Sequence, residues 1–258
     1  MTRLTAPALR RGLDILELLI DEDRGLKVPE ITQRLDLPRA TTHELINTLA
    51  DRGYVAVSAD TGRVTLGIRT LRLGAGYERN LDIAEVGRQC ASEVARECGE
   101  TVQIAVRDSA FAVYIVRIDS THPVRLVSQV GSRLPATCTA GGKMLLSALP
   151  AAELTALIPD DDHLEQMTPR SISTLEQLDA EMARARENGW IDEFCESNDH
   201  VTCVAAPVYG KLGEMVAAMS ISIPMLRWKD EDRERYVTLA RSGALTMSEL
   251  LGAPDTRS

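Results

Sequence analysis

The sequence predicts a two-domain α+β protein, an N-terminal winged helix-turn-helix unit followed by a larger domain of mixed strands and helices. Two observations carry this. Three short helical periods run into a pair of alternating strand segments within the first 67 residues, and beyond residue 100 strand runs are bracketed by helices without regular strand–helix alternation. At roughly 100 to 200 residues per domain, the 258 residues suit one large or two ordinary domains. The expected division is 1–67 for the helix-turn-helix unit, 68–82 for a linker helix and 83–258 for the second domain.

In ALRRGLDILELLIDED, Leu9, Leu13, Leu16 and Ile20 recur at the spacing of an amphipathic helix that ends near Arg24-Gly25. A short helix follows in VPEITQRLDL, with Pro29 in the first turn, where its missing N–H is harmless. After the turn Leu35-Asp36-Leu37, PRATTHELINTLADRG opens a third helix at Pro38 and closes it at Gly53. YVAVS and RVTLG, joined through SADTG with Gly62, read as a hairpin. IRTLRLGAGYERN and LDIAEVGRQCASEVAREC are helical, the first weakened by Gly74 and Gly76. TVQIAVR, FAVYIVR and VRLVSQV predict a three-strand meander. Helices are expected at 140–149, 151–158 and 174–188, then strands VTCVAAPV and EMVAAMSIS around YGKLG, and a last helix over 230–251.

Hydrophobic residues at 44% and charged residues at 26% fit a globular chain, and 2 Trp, 5 Tyr and 2 Phe argue against single-stranded nucleic acid binding by stacking. No apolar run of ~18 residues exists, and the start MTRLTAPALRRGL has no signal-peptide core, so a cytoplasmic protein without membrane contact is expected. Cys90, Cys98, Cys138, Cys195 and Cys203 form no C-x-x-C, which favours buried reduced thiols. Residues 1–80 hold 12 Lys and Arg against 11 Asp and Glu, a net of +1, so the rest carries −10 of the total −9. Only the first part could approach a polyanion, and its few cations make geometry and dimerisation necessary for DNA binding.

Wound at 100° per residue, the third helix puts Thr42, Leu45, Ile46 and Leu49 on one face and Arg39, Ala40, His43, Glu44 and Asn47 on the other. The second face suits the major groove. Arg39 can pair with guanine, Asn47 with adenine and Thr41 with a phosphate, with His43 and the hairpin's Arg63 as further DNA contacts. Glu44 could accept from cytosine N4 or point to solvent. In the second domain, Ala140-Gly141-Gly142-Lys143 opens a helix whose free N–H groups could hold a carboxylate or phosphate, or could simply form a close-packed turn. It is not a P-loop, because G-x-x-x-x-G-K-[ST] is absent. Ser220 and Ser222 leave one face of an apolar strand, so their hydroxyls need internal partners or a polar cavity.

LPRATTHELINTLADRGYV with RVTLGIRTLRLG resembles the winged helix of the IclR family of bacterial transcriptional regulators. GSRLPATCTAGGKMLLSAL, ENGW, VTCVAAPV and AAMSISIP are similar to that family's effector-binding domain. The resemblance covers nearly the whole chain. It implies a wing hairpin, a GAF-like second domain, dimers joined at the N-terminal parts and paired again through the second domains into a tetramer, and no enzymatic activity or cofactor. The partners it implies are double-stranded DNA with a palindromic operator and a small organic acid effector. It places the effector at Ala140, Gly141, Cys203, Ser220 and Ser222, with Glu193 in the same group, and gives Glu196 a structural role. Three departures stand out: Glu44 where a basic residue is usual, Ala40 where serine is usual, and His200 where glycine is frequent. Rival readings are a sensor without DNA binding, a Cys-dependent enzyme, and a zinc site at Cys138, His200 and Cys203, whose spacings fit no recurrent ligand pattern. His122, and His163 in DDDHLE, read as surface residues.

Overall fold

The computed structural model describes residues 6–20, 22–79, 82–122 and 129–254, which form two compact units, 1–80 and 81–258. In the first, α1 (Pro7–Leu18), α2 (Val28–Arg34) and α3 (Arg39–Asp51) precede β2 (Val55–Val57) and β3 (Arg63–Leu66), and α4 (Ile68–Arg79) follows. A two-residue strand β1 (Leu26–Lys27), absent from the sequence reading, pairs with β3 and makes a three-stranded antiparallel sheet in the order β1-β3-β2. Ile15, Leu19, Leu26, Ile31, Ile46, Val55 and Val64 form the core. Pro38 is the N-cap of α3, one position before the helix. Gly53 ends it at φ 73°, a backbone conformation that side chains with a Cβ disfavour.

The first helix departs from expectation. It stops at Leu18, well short of Arg24-Gly25, so Ile20 lies in the following turn. Leu9, Leu13 and Ile20 are exposed, and the buried residues are Gly12, Ile15 and Leu19. The helix carries apolar side chains around more of its circumference than this small core can cover, and the stripe through Ile15 packs inward.

In the second unit, α5 (Asp82–Cys98) leads into a six-stranded antiparallel sheet ordered β6-β5-β4-β9-β8-β7. Its strands are β4 (Thr101–Asp108), β5 (Phe111–Ile118), β6 (Arg133–Pro135), β7 (Ile191–Phe194), β8 (Val201–Tyr209) and β9 (Met215–Pro224). β6 takes the third place of the expected meander, and VRLVSQV lies largely outside the described residues. β7 is too short for its alternation to show in the sequence. Helices α6 (Ala140–Ser147), α7 (Ala151–Leu157) and α8 (Leu175–Asn188) lie between β6 and β7, and α9 (Arg233–Leu250) closes the unit. Gly189 ends α8 at φ 66°.

Period-two alternation sorts the sheet into two faces. Val102, Ile104, Val204, Ala206, Val208, Met219, Ile221 and Ile223 pack with α5 and α9, where Cys90 and Cys98 also sit. Ala105, Tyr114, Cys203, Ala205 and Ala218 pack with α6 on the other face. All five cysteines are buried and free. His122 and His163 are exposed, the latter paired with Asp160 at 2.5 Å. Among the described residues no three His, Cys, Asp or Glu side chains gather as a metal site, and no helix is long and apolar enough to cross a membrane.

Candidate functional site

Two places in the chain gather the candidate residues. On α3, Thr42 and Ile46 are buried and Leu45 and Leu49 half-buried, while Arg39, Ala40, His43, Glu44 and Asn47 are exposed and Thr41 is half-buried. Thr42 satisfies its buried hydroxyl on the Pro38 carbonyl at 3.2 Å. The exposed face is therefore free for an external partner. Arg63 is engaged elsewhere: its Nη1 donates to the Gly25 carbonyl at 2.5 Å and lies 3.8 Å from the Glu30 carboxylate. That arginine ties the β3 strand to the start of α2, and the wing turn itself, Ser58 to Gly62, is exposed.

The second place is the first turn of α6 against β4, β8 and β9. A Cβ built on Gly141 would lie 3.6 Å from the Ala105 methyl, 3.9 Å from that of Ala218 and 4.0 Å from Ser220 Oγ, so the helix start sits directly on β4 and on β9, the strand carrying the two serines. Thr139 caps the helix by accepting from Gly142 N–H at 3.0 Å. Of the two glycine donors considered in the sequence, Gly142 is thus occupied, and the Ala140 and Gly141 N–H groups remain ahead of the first intrahelical bond. Ser222 Oγ donates to Gln103 Oε1 at 3.1 Å and lies 3.2 Å from Cys203 Sγ. Cys203 and Glu193 are cross-strand neighbours on β8 and β7.

Glu193 is 1% exposed, and its carboxylate accepts from Glu196 N–H at 2.7 Å and Ser197 Oγ at 3.1 Å. Burial raises its pKa to about 7, against the hydrogen bonds from the Glu196 N–H and the Cys203 thiol. Burial, with Glu193 nearby, also pushes the Cys203 thiol well up, and burial does the same for the Tyr114 hydroxyl beside Thr139. Glu196 is half-buried. It meets Lys143 Nζ at 2.7 Å, and Lys143, wholly buried, also holds Glu181 at 3.0 Å. His200 is exposed, with its N–H on Asn198 Oδ1.

The sequence reading missed Gln103, Tyr114, Thr139 and Lys143. Thr139 before Ala140-Gly141 was a readable N-cap signal, and Gln103 stands out as a polar residue within Val-Gln-Ile. Tyr114 and the Lys143–Glu196 pair join segments far apart in the chain and leave no local trace.

The chain matches two family models, the IclR helix-turn-helix domain over residues 8–58 and the bacterial transcriptional regulator IclR C-terminal domain over residues 75–249. It belongs to the IclR family. The HTH-type transcriptional repressor AllR of Klebsiella pneumoniae is 34% identical over 250 residues, 96% of this chain and 90% of that protein. The Agobacterium tumefaciens repressor BlcR is similar in structure at a TM-score of 0.63 and 32% identity, over 97% of this chain and 99% of that one. An IclR homolog from Microbacterium hydrocarbonoxydans, crystallised with 4-hydroxybenzoate, shares the fold at a TM-score of 0.79 and 23% identity, covering 95% and 98%. This IclR-type transcriptional regulator thus has a helix-turn-helix DNA-binding domain in its first unit and a ligand-binding domain in its second.

Proposed function

We propose that this IclR-family regulator binds a palindromic operator through the exposed face of α3 and releases or tightens that grip when a small organic acid occupies the first turn of α6. Arg39, His43 and Asn47 read bases and Thr41 holds a phosphate, while Arg63 orders the wing rather than reading sequence. Residues 68–82 act as the linker. The exposed Leu9, Leu13, Ile20, Ile68, Leu71 and Leu73 supply apolar surface for pairing two chains, which a DNA-binding unit of net +1 requires. The reading extends to a cytoplasmic protein that assembles as a dimer or a tetramer of two dimers.

The observation that carries the effector assignment is a set of buried polar groups in a sheet-facing core: Gln103, Glu193, Cys203, Ser220 and Ser222 around the N-terminus of α6. A core built for packing alone would place apolar residues there. Backbone N–H groups at Ala140 and Gly141 suit a carboxylate, and the hydroxyl, thiol and amide suit a hydroxyl or keto oxygen on the same small ligand. That a relative of the same fold was crystallised with 4-hydroxybenzoate, an acid bearing a hydroxyl, agrees with this class. Catalysis is not assigned: a nucleophilic thiol needs a lowered pKa, and that of Cys203 moves the opposite way. Calorimetry against 2-oxo, 2-hydroxy and aromatic acids tests the site. A ligand bound by the wild type and lost in Gly141→Leu and in the Ser220→Ala/Ser222→Ala variant is expected; one bound equally by all three places the site elsewhere.

A further inference from the structure

The sequence leaves Glu44 between two readings, base contact and solvent, and in the structure its side chain is exposed on α3. Taking the direction opposite the buried stripe of Thr42, Leu45, Ile46 and Leu49 as the centre of the exposed face, Ala40, Glu44 and Asn47 lie within about 30° of it, whereas Arg39, the first residue of the helix, lies about 110° away, at the flank and not on the shared face expected for it. Glu44 is therefore in the middle of the face that meets DNA. Its carboxylate has no ion pair among the described residues, and the positions one turn away on α3 are Ala40, Thr41, Asn47 and Thr48, none of them a cation. Ala40, one turn before it, is too small to hold it off a base edge. An uncompensated negative charge in that place, on a unit of net charge only +1, weakens binding to any phosphate backbone unless it finds a donor.

We propose that Glu44 is a base-reading residue that selects cytosine at one position in each operator half-site. The major groove offers few donors. Guanine shows N7 and O6 acceptors, thymine an acceptor and a methyl, and adenine a donor beside an acceptor; cytosine shows its N4 amino group alone. A carboxylate is repelled by the first two, compromised by the third and satisfied by the fourth. Its contribution is discrimination more than affinity, since it acts chiefly by rejecting the other bases. This rests on α3 being the reading helix, as argued above.

The test is selection of bound sequences from a randomised duplex library by the full-length wild type and by Glu44→Ala, Glu44→Arg and Thr41→Ala. Glu44 is exposed, so these variants fold. The wild type should select a two-fold motif with cytosine preferred by roughly 5- to 150-fold at one position per half-site. Glu44→Ala should lose preference at that position alone, Glu44→Arg should move it to guanine, and Thr41→Ala should weaken binding with the motif unchanged. Identical motifs for wild type and both Glu44 variants would overturn the assignment, as would an A·T pair in either orientation at the position that Glu44→Ala relaxes. A wild type that selects no motif would instead remove the DNA-reading proposal itself, and this inference with it.

Discussion

Glu193 shows how one residue can tie the proposed effector site to pH. Its pKa is raised from 4.5 in the unfolded chain to about 7 in the fold, chiefly by burial. The folded protein then holds that proton more tightly than the unfolded chain. The resulting stability is fully present below pH 4.5 and is lost as pH rises through about 7. The shift corresponds to about 3 kcal/mol. Urea unfolding as a function of pH should show Glu193→Gln gaining on the wild type by about that amount between about pH 4.5 and 8; parallel profiles would mean that the carboxyl is not held as described. Neighbouring glycines offer a second, sharper contrast. A Cβ at Gly141 meets only ordinary contacts, whereas one at Gly142 would collide with the Ala136 backbone and come within 2.6 Å of Thr139 Oγ1. Gly142→Ala should therefore lose roughly 2 kcal/mol of stability in chemical denaturation, and Gly141→Ala little, because the first must displace backbone.

At the scale of elements, the parts legible in the sequence are those whose signals are local. The wing hairpin shows in YVAVS and RVTLG around a Gly-containing turn, and α3 shows in its apolar spacing between Pro38 and Gly53. β1 and β7, at two and four residues, are too short for a period to emerge, and both exist because a longer strand beside them supplies the pairing. The first helix buries a different face from the one its spacing predicts, because two apolar stripes run along it and only the tertiary core chooses between them. Ser220 and Ser222 could be placed on one strand face from spacing alone, but the partners of Ser222, Gln103 and Cys203, lie on other strands. Arg63 illustrates the remaining gap: its type and position in the wing suggested DNA, and its side chain is held within the unit. Replacing it by alanine should lower the stability of the helix-turn-helix unit by roughly 1 kcal/mol, a charge-assisted bond discounted for exposure. Thermal unfolding checks this. The variant should retain the wild-type motif in sequence selection, and a changed motif would make Arg63 a reader after all.

For the whole molecule, the two units have opposite electrostatic character, +1 over residues 1–80 and −10 over the remainder, so only one of them can lie against DNA. In the proposed mode, such a mildly charged unit reaches useful affinity by engaging two half-sites at once. The exposed Leu9 and Leu13 of α1, Ile20 in the turn after it, and Ile68, Leu71 and Leu73 of α4 should accordingly be covered in solution. Light scattering at micromolar concentration should give a tetramer, or at least a dimer, with Leu13→Glu/Leu71→Glu shifting the mass downward; a wild type that stays monomeric with operator DNA present would contradict this assembly. The central claim is narrower, that the exposed face of α3 reads the operator, and one measurement bears on it most directly. In footprinting of genomic fragments at fixed salt, the wild type should protect a two-fold site that the Arg39→Ala/His43→Ala/Asn47→Ala variant fails to protect at the same concentration, with about 1 to 3 kcal/mol of discrimination lost per base contact. Protection of the same site by the triple variant at the same concentration would contradict it.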